Sequence, residues 1–181
     1  MCCRKSRKRK NSLRRPGVFA FTAFFLGLAF LAQARAAENQ SGLQAQFDRE
    51  THSFSKIKIL DKLGEAQFRA ASDAQRAADY ERVGFIFEKY RDNVRTALQL
   101  LTRQEPNAER HGDGYRRIEL QIRKGIREVE ETLIVVPTVV RPPLQIVRQD
   151  LIDMDDFLIH QLFPRGTKDP GLTTAPPEAK P

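Results

Sequence analysis

The densest group of chemically capable side chains lies late in the chain, where one short segment contains Asp150, Asp153, Asp155, Asp156 and His160. On a helix Asp153, Asp156 and His160 are spaced i, i+3 and i+7 and share one face. Carboxylates and an imidazole so placed are ligands for a divalent cation, but no other segment offers a fourth ligand. Alternatively they form a solvated face, with acidic residues early in the helix and His160 near its C-terminus, as the helix dipole favours. We favour the solvated face and keep Asp153, Asp156 and His160 as candidate metal ligands.

Other catalytic patterns are missing from the sequence. His52 and His111 are isolated, and no H-E-x-x-H occurs. Ser53 and Ser55 lack the G-x-S-x-G context of a hydrolase nucleophile. The glycine-rich segment 111–114 is not followed by G-K-[ST], so it does not fit a phosphate-binding loop. The sequence predicts no catalytic residue and no cofactor, and we expect that the protein is not an enzyme.

The first 36 residues have the order of a cleavable secretory signal peptide. A basic segment over 4–15 precedes an apolar run over 18–32, and the small-residue site Ala34-Arg35-Ala36 follows. The alternative is an uncleaved inner-membrane anchor over 17–34, although the apolar run is short for a spanning helix. In either case the basic segment stays on the cytoplasmic side. We therefore expect a protein exported across the inner membrane and either periplasmic or secreted.

The overall charge changes when this leader is set aside. The chain carries 31 Lys and Arg residues against 23 Asp and Glu, a net charge of +8. Nine of the basic residues and none of the acidic ones lie in 1–36, so 22 remain against 23, a net charge of about −1. Binding to nucleic acid needs a positive surface, so we expect none. The two cysteines, Cys2 and Cys3, precede the apolar run, so the exported domain contains no disulfide.

Apolar residues at three- and four-residue steps predict four main helices, over about 55–77, 80–102, 115–136 and 143–163. Leu43 and Phe47 predict a short additional helix before them. The clearest stripe is that of the second main helix: Tyr80, Val83, Phe87, Tyr90, Val94, Ala97, Leu98 and Leu101. No convincing strand occurs. The prediction is an all-α fold, an antiparallel up-and-down bundle of four main helices over 37–164.

Breaking residues place the connections between these helices. Ser53 or Ser55 is expected to cap the first main helix, and Asp79 the second. A long loop is expected over 103–114, where Pro106 and two glycines fall. The segment 138–143 is expected to be an extended connector, with Pro142-Pro143 in the first turn of the last helix. Prolines and few apolar residues predict a disordered tail over 165–181.

Part of the chain resembles one hairpin of the tetratricopeptide repeat family. Leu63-Gly64 is similar to the L-G of that family's first helix, and 78–81 to its turn. Val83, Phe87 and Tyr90 fall where its second helix has packing residues. The resemblance covers 63–101, and no second copy follows. Because one unit forms no solenoid groove, the resemblance does not imply peptide binding. The wider layout is similar to exported helical bacterial proteins of unknown function.

Two helices carry more apolar residues than one stripe needs. Phe85 and Ile86 flank the stripe of the second main helix, and Phe157, Ile159 and Phe163 do so on the last helix. This width indicates either a doubly buried helix or an exposed surface for a partner. The sequence favours an exported, non-catalytic protein that acts through protein contacts or self-association, as an adaptor, accessory subunit or small chaperone. The alternatives are a membrane-anchored spacer or sensor, and a metal-binding or hydrolytic protein.

Overall fold

The structure, a computed structural model, describes residues 39–110 and 112–163. Regular structure in these residues consists of α1 (39–49), α2 (Ser53–Arg76), α3 (Tyr80–Gln104), α4 (Gly112–Val135), a 3₁₀ turn (Thr138–Val140) and α5 (Arg141–Leu162). The predicted all-α bundle is confirmed. The predicted signal peptide over 1–36, the alternative anchor over 17–34 and the predicted tail over 165–181 lie outside the described residues. None of the described helices combines the length and the apolar composition that spanning a bilayer requires.

The predicted apolar stripes form the core. The buried members come from every main helix and include Ile57, Leu60, Leu63, Val83, Phe87, Tyr90, Ile118, Ile122, Val129, Leu144, Val147 and Leu151. Tyr80, Ile126, Leu133 and Leu162 pack against this core and are partly buried. Each large apolar side chain contributes roughly 1.5–3 kcal/mol when it leaves water. The helices are therefore held mainly by their shared core rather than by intrinsic helix propensity.

Side-chain contacts show how consecutive helices pair. The backbone N–H of Ser53, at the start of α2, donates to Gln104 Oε1, at the end of α3, at 2.8 Å. Arg148, early in α5, donates from Nε to Glu130 Oε1, late in α4, at 2.7 Å. The two helices of each pair, α2 with α3 and α4 with α5, therefore run antiparallel. The full up-and-down order stays a prediction that these pairings favour.

The short helix α1 is tied to the bundle through α3. Phe47 is buried, and Lys56 places its ammonium 4.5 Å from the centre of the Phe47 ring. Gln44 and Asn93 exchange two hydrogen bonds between their side-chain amides, at 3.0 and 3.1 Å. The additional helix predicted from Leu43 and Phe47 thus lies against α2 and α3.

The two predicted helix caps have different outcomes. Asp79 caps α3, since its Oδ1 accepts from the backbone N–H of Arg82 at 3.2 Å, as predicted. The cap predicted for α2 is wrong, because Ser53 is already the first helical residue and its buried hydroxyl has no hydrogen-bond partner among residues 39–110 and 112–163. Gln104 does the capping instead. Its Oε1 accepts from the Ser53 N–H, and its Nε2 donates to the Thr51 carbonyl at 2.8 Å.

Both long connections are shorter than predicted. The loop predicted over 103–114 is partly helical, because α4 begins at Gly112. Gly114 lies so close to α3 that an added Cβ would be 3.0 Å from Leu101 Cδ1, so packing offsets the poor helix propensity of glycine. The connector predicted to be extended over 138–143 forms a 3₁₀ turn, and α5 begins at Arg141. Two prolines occupy the first turn of α5, as predicted.

Candidate interaction surfaces

The candidate metal ligands share one helix but no common site. Asp153, Asp156 and His160 all lie on the exposed side of α5. Asp153 accepts a hydrogen bond from Gln149 Nε2 at 2.8 Å, and it lines a cleft between α3 and α5. His160 lines a different depression, beside 106–109. Among residues 39–110 and 112–163, no group of three or more His, Cys, Asp or Glu side chains is placed to hold a metal ion.

The connection between α4 and α5 exposes an unusual amount of apolar surface. We name this surface the apolar turn and define it by Ile134, Val135, Val139 and Ile146. Between 59% and 89% of each of these residues is open to solvent. Three prolines of the same segment, Pro137, Pro142 and Pro143, are exposed as well.

The local sequence explains why the apolar turn faces water. Pro137 ends α4, since proline has no N–H to continue the helical hydrogen bonds. Val136 and Leu144 turn inward and are buried, which fixes the two ends of the connection to the core. Arg141 holds the turn closed by donating from Nε to the Val136 carbonyl at 3.2 Å. Residues 133–144 include only two polar side chains, so the inward-facing positions cannot bury all the apolar ones.

A second surface is the α3–α5 cleft, with a volume of about 620 Å³. It is lined by Arg95, Leu98, Gln99, Thr102, Arg103, Asp150, Asp153, Met154 and Phe157. Leu98 and Met154 are buried and form an apolar floor, while 41% of Phe157 is open to solvent. The cleft therefore combines an apolar floor with charged walls.

Charges are distributed unevenly along this cleft. Asp150 Oδ2 accepts from Arg91 Nη1 at 3.1 Å and from Arg95 Nη2 at 3.2 Å, and Asp92 pairs with the same two arginines, so these four charges balance one another. Arg103 and Asp153 make no ion pair with any residue in the described part of the chain. Among the described residues, the α3 wall thus has one cation without an ion pair, and the α5 wall has a carboxylate whose recorded partner is the Gln149 amide.

The apolar residues predicted in excess of one stripe separate into buried and exposed groups. Ile86 is buried, and Ile159 is partly buried. Phe85, Phe157 and Phe163 are exposed, so burial does not explain all of the additional apolar residues on α3 and α5. The apolar turn was not among the predicted surfaces. The sequence feature that could have predicted the apolar turn is the segment 133–140, in which Thr138 is the only polar residue.

The interior between α2 and α4 holds polar groups that sequence reasoning missed. Tyr90, predicted as part of an apolar stripe, is fully buried, and its hydroxyl donates to the Gln121 carbonyl at 2.6 Å. Burial raises the pKa of Tyr90 well above its usual range, so the hydroxyl stays protonated. Burial also raises the pKa values of Asp61 and Glu128. Tyr90 joins α3 to α4 through its hydrogen bond, and Asp61 of α2 lies 3.9 Å from Arg117 of α4, so both groups contribute to packing between helices.

Comparison of this chain with protein-family models, with curated protein sequences and with solved structures finds no match. The likeness of 63–101 to a tetratricopeptide hairpin stays a resemblance.

Proposed function

We propose that this protein is an exported, non-catalytic helical bundle that acts through protein–protein contacts in the cell envelope, as an adaptor, an accessory subunit or a small chaperone. The observation that carries the proposal is the apolar turn. Its four large side chains are mostly exposed although the residues beside them, Val136 and Leu144, are buried.

The exposure of the apolar turn has a cost that a partner would remove. Burying apolar surface contributes about 25 cal/mol per Å², so a side chain as open as Val139 leaves most of its transfer free energy unused. Single exposed apolar residues are common, but these four fall within one short stretch of chain, and a large exposed apolar patch is typical of an interaction surface. The β-branched side chains and prolines of the turn also have few conformations to lose on binding, which lowers the entropic cost of an interface.

Export is supported by the sequence rather than by the described fold. The basic, apolar and small-residue segments over 1–36 fit a signal peptide. The remaining chain is close to neutral and has no cysteine. A non-catalytic role is supported by the lack of a recognisable catalytic motif in the sequence and by the solvated positions of Asp153, Asp156 and His160.

The test is capture of partners by the full chain, tagged at its C-terminus and crosslinked in producing cells. The variant Ile134→Ser/Val139→Ser removes the apolar character of the turn without touching the core. Leu120→Ser is the matched control, since Leu120 is similarly exposed on α4 but lies away from the turn. We expect crosslinked protein species with the wild type and with the control. With the double variant we expect these species to be lost. Equal crosslinking of all three proteins would contradict the proposal.

A further inference from the structure

The short helix α1 covers a surface of α2 and α3 that we name the α1 groove and define by Lys56 and Asn93. We propose that the α1 groove is a binding site for an amphipathic helix of a partner protein, and that α1 occupies it until such a helix displaces it. The partner helix carries an amide side chain three residues before an aromatic one, as α1 does with Gln44 and Phe47. The inference rests on the proposed function, because it adds a second contact surface to a protein that acts through protein contacts.

α1 is held in the groove by few contacts. Of the residues 39–49, all of which the structure describes, only Phe47 is buried, and Leu43 packs against the core with part of its surface open. Gln44 adds the two hydrogen bonds with Asn93, at 3.0 and 3.1 Å. Because a helix shorter than about 12–15 residues is marginal in water on its own, α1 depends on these contacts to stay formed. A segment with so few buried apolar contacts opens at a lower free-energy cost than the core helices.

The surface beneath α1 is suited to exposure. Lys56 and Asn93 are buried while α1 is in place. The Lys56 ammonium lies 4.5 Å from the centre of the Phe47 ring and makes no ion pair among the described residues. Lysine is almost never fully buried unless it is paired, and asparagine is mostly exposed. When α1 leaves, both side chains return to water, so opening recovers solvation that a purely apolar groove would not.

The connection between α1 and α2 permits this opening. Thr51 and His52 are exposed and not helical, and their backbone N–H groups donate to Glu50 Oε1 at 3.0 and 2.9 Å. The start of α2 is fixed separately, because Gln104 Oε1 accepts from the N–H of Ser53. α1 can therefore move about residue 50 while the cap on α2 stays in place.

The groove selects a ligand at two positions. The Asn93 side chain offers both an N–H donor and a carbonyl acceptor, which a Gln or Asn side chain matches in full. The Lys56 ammonium packs against the face of an aromatic ring as a cation–π pair. A helix with an amide and an aromatic ring at i and i+3 presents both on one face. The contact is therefore one in which an amphipathic helix lies in a groove.

Binding of a helical peptide added in trans tests the inference. The probe is a fluorescent peptide of residues 39–50, held helical by a staple between positions 45 and 49, which are exposed on α1. The exported full chain with Phe47→Ala, whose own α1 is loosened, is expected to bind the peptide at least about tenfold more tightly than wild type. The reason is that an occupied site lowers the apparent affinity by the fraction of molecules that are open. Gln44→Ala is a milder change and is expected to give a smaller gain in the same direction.

Control variants test the specificity of the groove. The same peptide carrying Phe47→Ala is expected not to bind. Adding Asn93→Ala to the Phe47→Ala chain is expected to weaken peptide binding about tenfold, because the paired amide hydrogen bonds are lost. Adding Gln99→Ala, at an exposed position of the same helix, leaves binding unchanged. No saturable binding by either loosened chain up to about 1 mM would overturn the inference, as would equal affinity of the wild type.

A further comparison separates this inference from the proposed function. Ile134→Ser/Val139→Ser, placed in the Phe47→Ala chain, is expected to leave peptide binding unchanged. A loosened chain that binds no peptide, in a protein that still loses its crosslinked species through Ile134→Ser/Val139→Ser, would contradict the α1 groove alone and leave the proposed function standing.

Discussion

The ring of Tyr90 fills the space that a side chain at Gly125 would need. A Cβ added to Gly125 would lie 3.0 Å from both Cζ and the hydroxyl oxygen of Tyr90 and would overlap the ring edge. The same hydroxyl donates to the carbonyl of Gln121, one turn earlier in α4. On the other side, a Cβ at Gly64 of α2 would lie 3.1 Å from Tyr90 Cε2. One aromatic side chain therefore sets the spacing of α2, α3 and α4.

Replacing Gly125 with alanine is expected to destabilise the bundle. The added methyl group overlaps Tyr90, and overpacking of this kind typically costs 1–3 kcal/mol. Alanine recovers up to about 1 kcal/mol of helix propensity, so we expect a net loss of about 1–2 kcal/mol in the free energy of unfolding, measured by urea denaturation. Gly84→Ala is the matched control, because a Cβ at Gly84 meets nothing within 4 Å. It is expected to stabilise the protein by about 0.5–1 kcal/mol. Equal effects of the two substitutions would refute the close contact with Tyr90.

The buried side chain of Gln67 is expected to lower the free energy of unfolding. It is fully buried in α2, and neither its Nε2 nor its Oε1 has a hydrogen-bond partner among the described residues. Because an unsatisfied buried polar group costs roughly 1–3 kcal/mol, Gln67→Leu should raise the free energy of unfolding by about 1–2 kcal/mol.

Gln104→Leu is the matched comparison for this change. Gln104 bonds the Ser53 N–H and the Thr51 carbonyl at the start of α2, so its loss should cost about 1 kcal/mol, as for a lost helix cap. Melting temperatures of the two variants should move in opposite directions. A fall in the melting temperature of Gln67→Leu would show that this amide has partners that the structure does not provide.

Asp61 makes stability depend on pH. Burial raises its pKa, although Arg117 and Gln121 act in the opposite direction. A raised pKa means that the folded state binds the proton more tightly than the unfolded state, so this group's stabilising contribution is present at low pH. It is lost as the pH rises through the interval between the unfolded and folded pKa values.

We therefore expect Asp61→Asn to be more stable than wild type at pH 7, with the difference shrinking as the pH falls into the acid range. The effect should be under about 1 kcal/mol, because 36% of the side chain is exposed and water screens its charge. Asp73→Asn, on the exposed side of the same helix, controls for the loss of one negative charge. Unfolding curves at several pH values measure the difference. An advantage of Asp61→Asn that grew toward acid pH would contradict the assigned direction of the pKa shift.

The sequence predicts those features that depend on residues close together in the chain, such as helical periodicity and an N-terminal cap. Ile57, Leu60, Val83 and Phe87 repeat at helical steps, so their burial follows from periodicity alone. Gln67 lies seven residues after Leu60, a helical step, so its burial is also consistent with periodicity; periodicity does not show that its amide lacks a partner among the described residues. Asp79 acts on the N–H three residues later, which is why its cap could be predicted.

The remaining features depend on contacts between distant residues. Gln104 caps a helix that begins 51 residues earlier, and no local pattern points to it. Gly114 is helical because it fits against Leu101, which overrides its propensity. The α3–α5 cleft likewise requires Arg103 and Asp153 to lie on neighbouring helices, whereas the prediction placed Arg103 in the loop over 103–114 and only Asp153 in a helix. The apolar turn was open to prediction from composition, since residues 133–140 have more apolar side chains than one face of a short connection buries.

The apolar turn is most directly tested by site-specific photocrosslinking in intact cells. A photoreactive amino acid is placed at position 139 in the apolar turn and, as the control, at position 120 on α4; both native side chains are exposed. We expect the probe at 139 to capture a discrete protein species in the envelope fraction and the probe at 120 to capture none. A probe at 139 that captures no protein, or an unprocessed chain recovered from the cytoplasm, would contradict the proposed function.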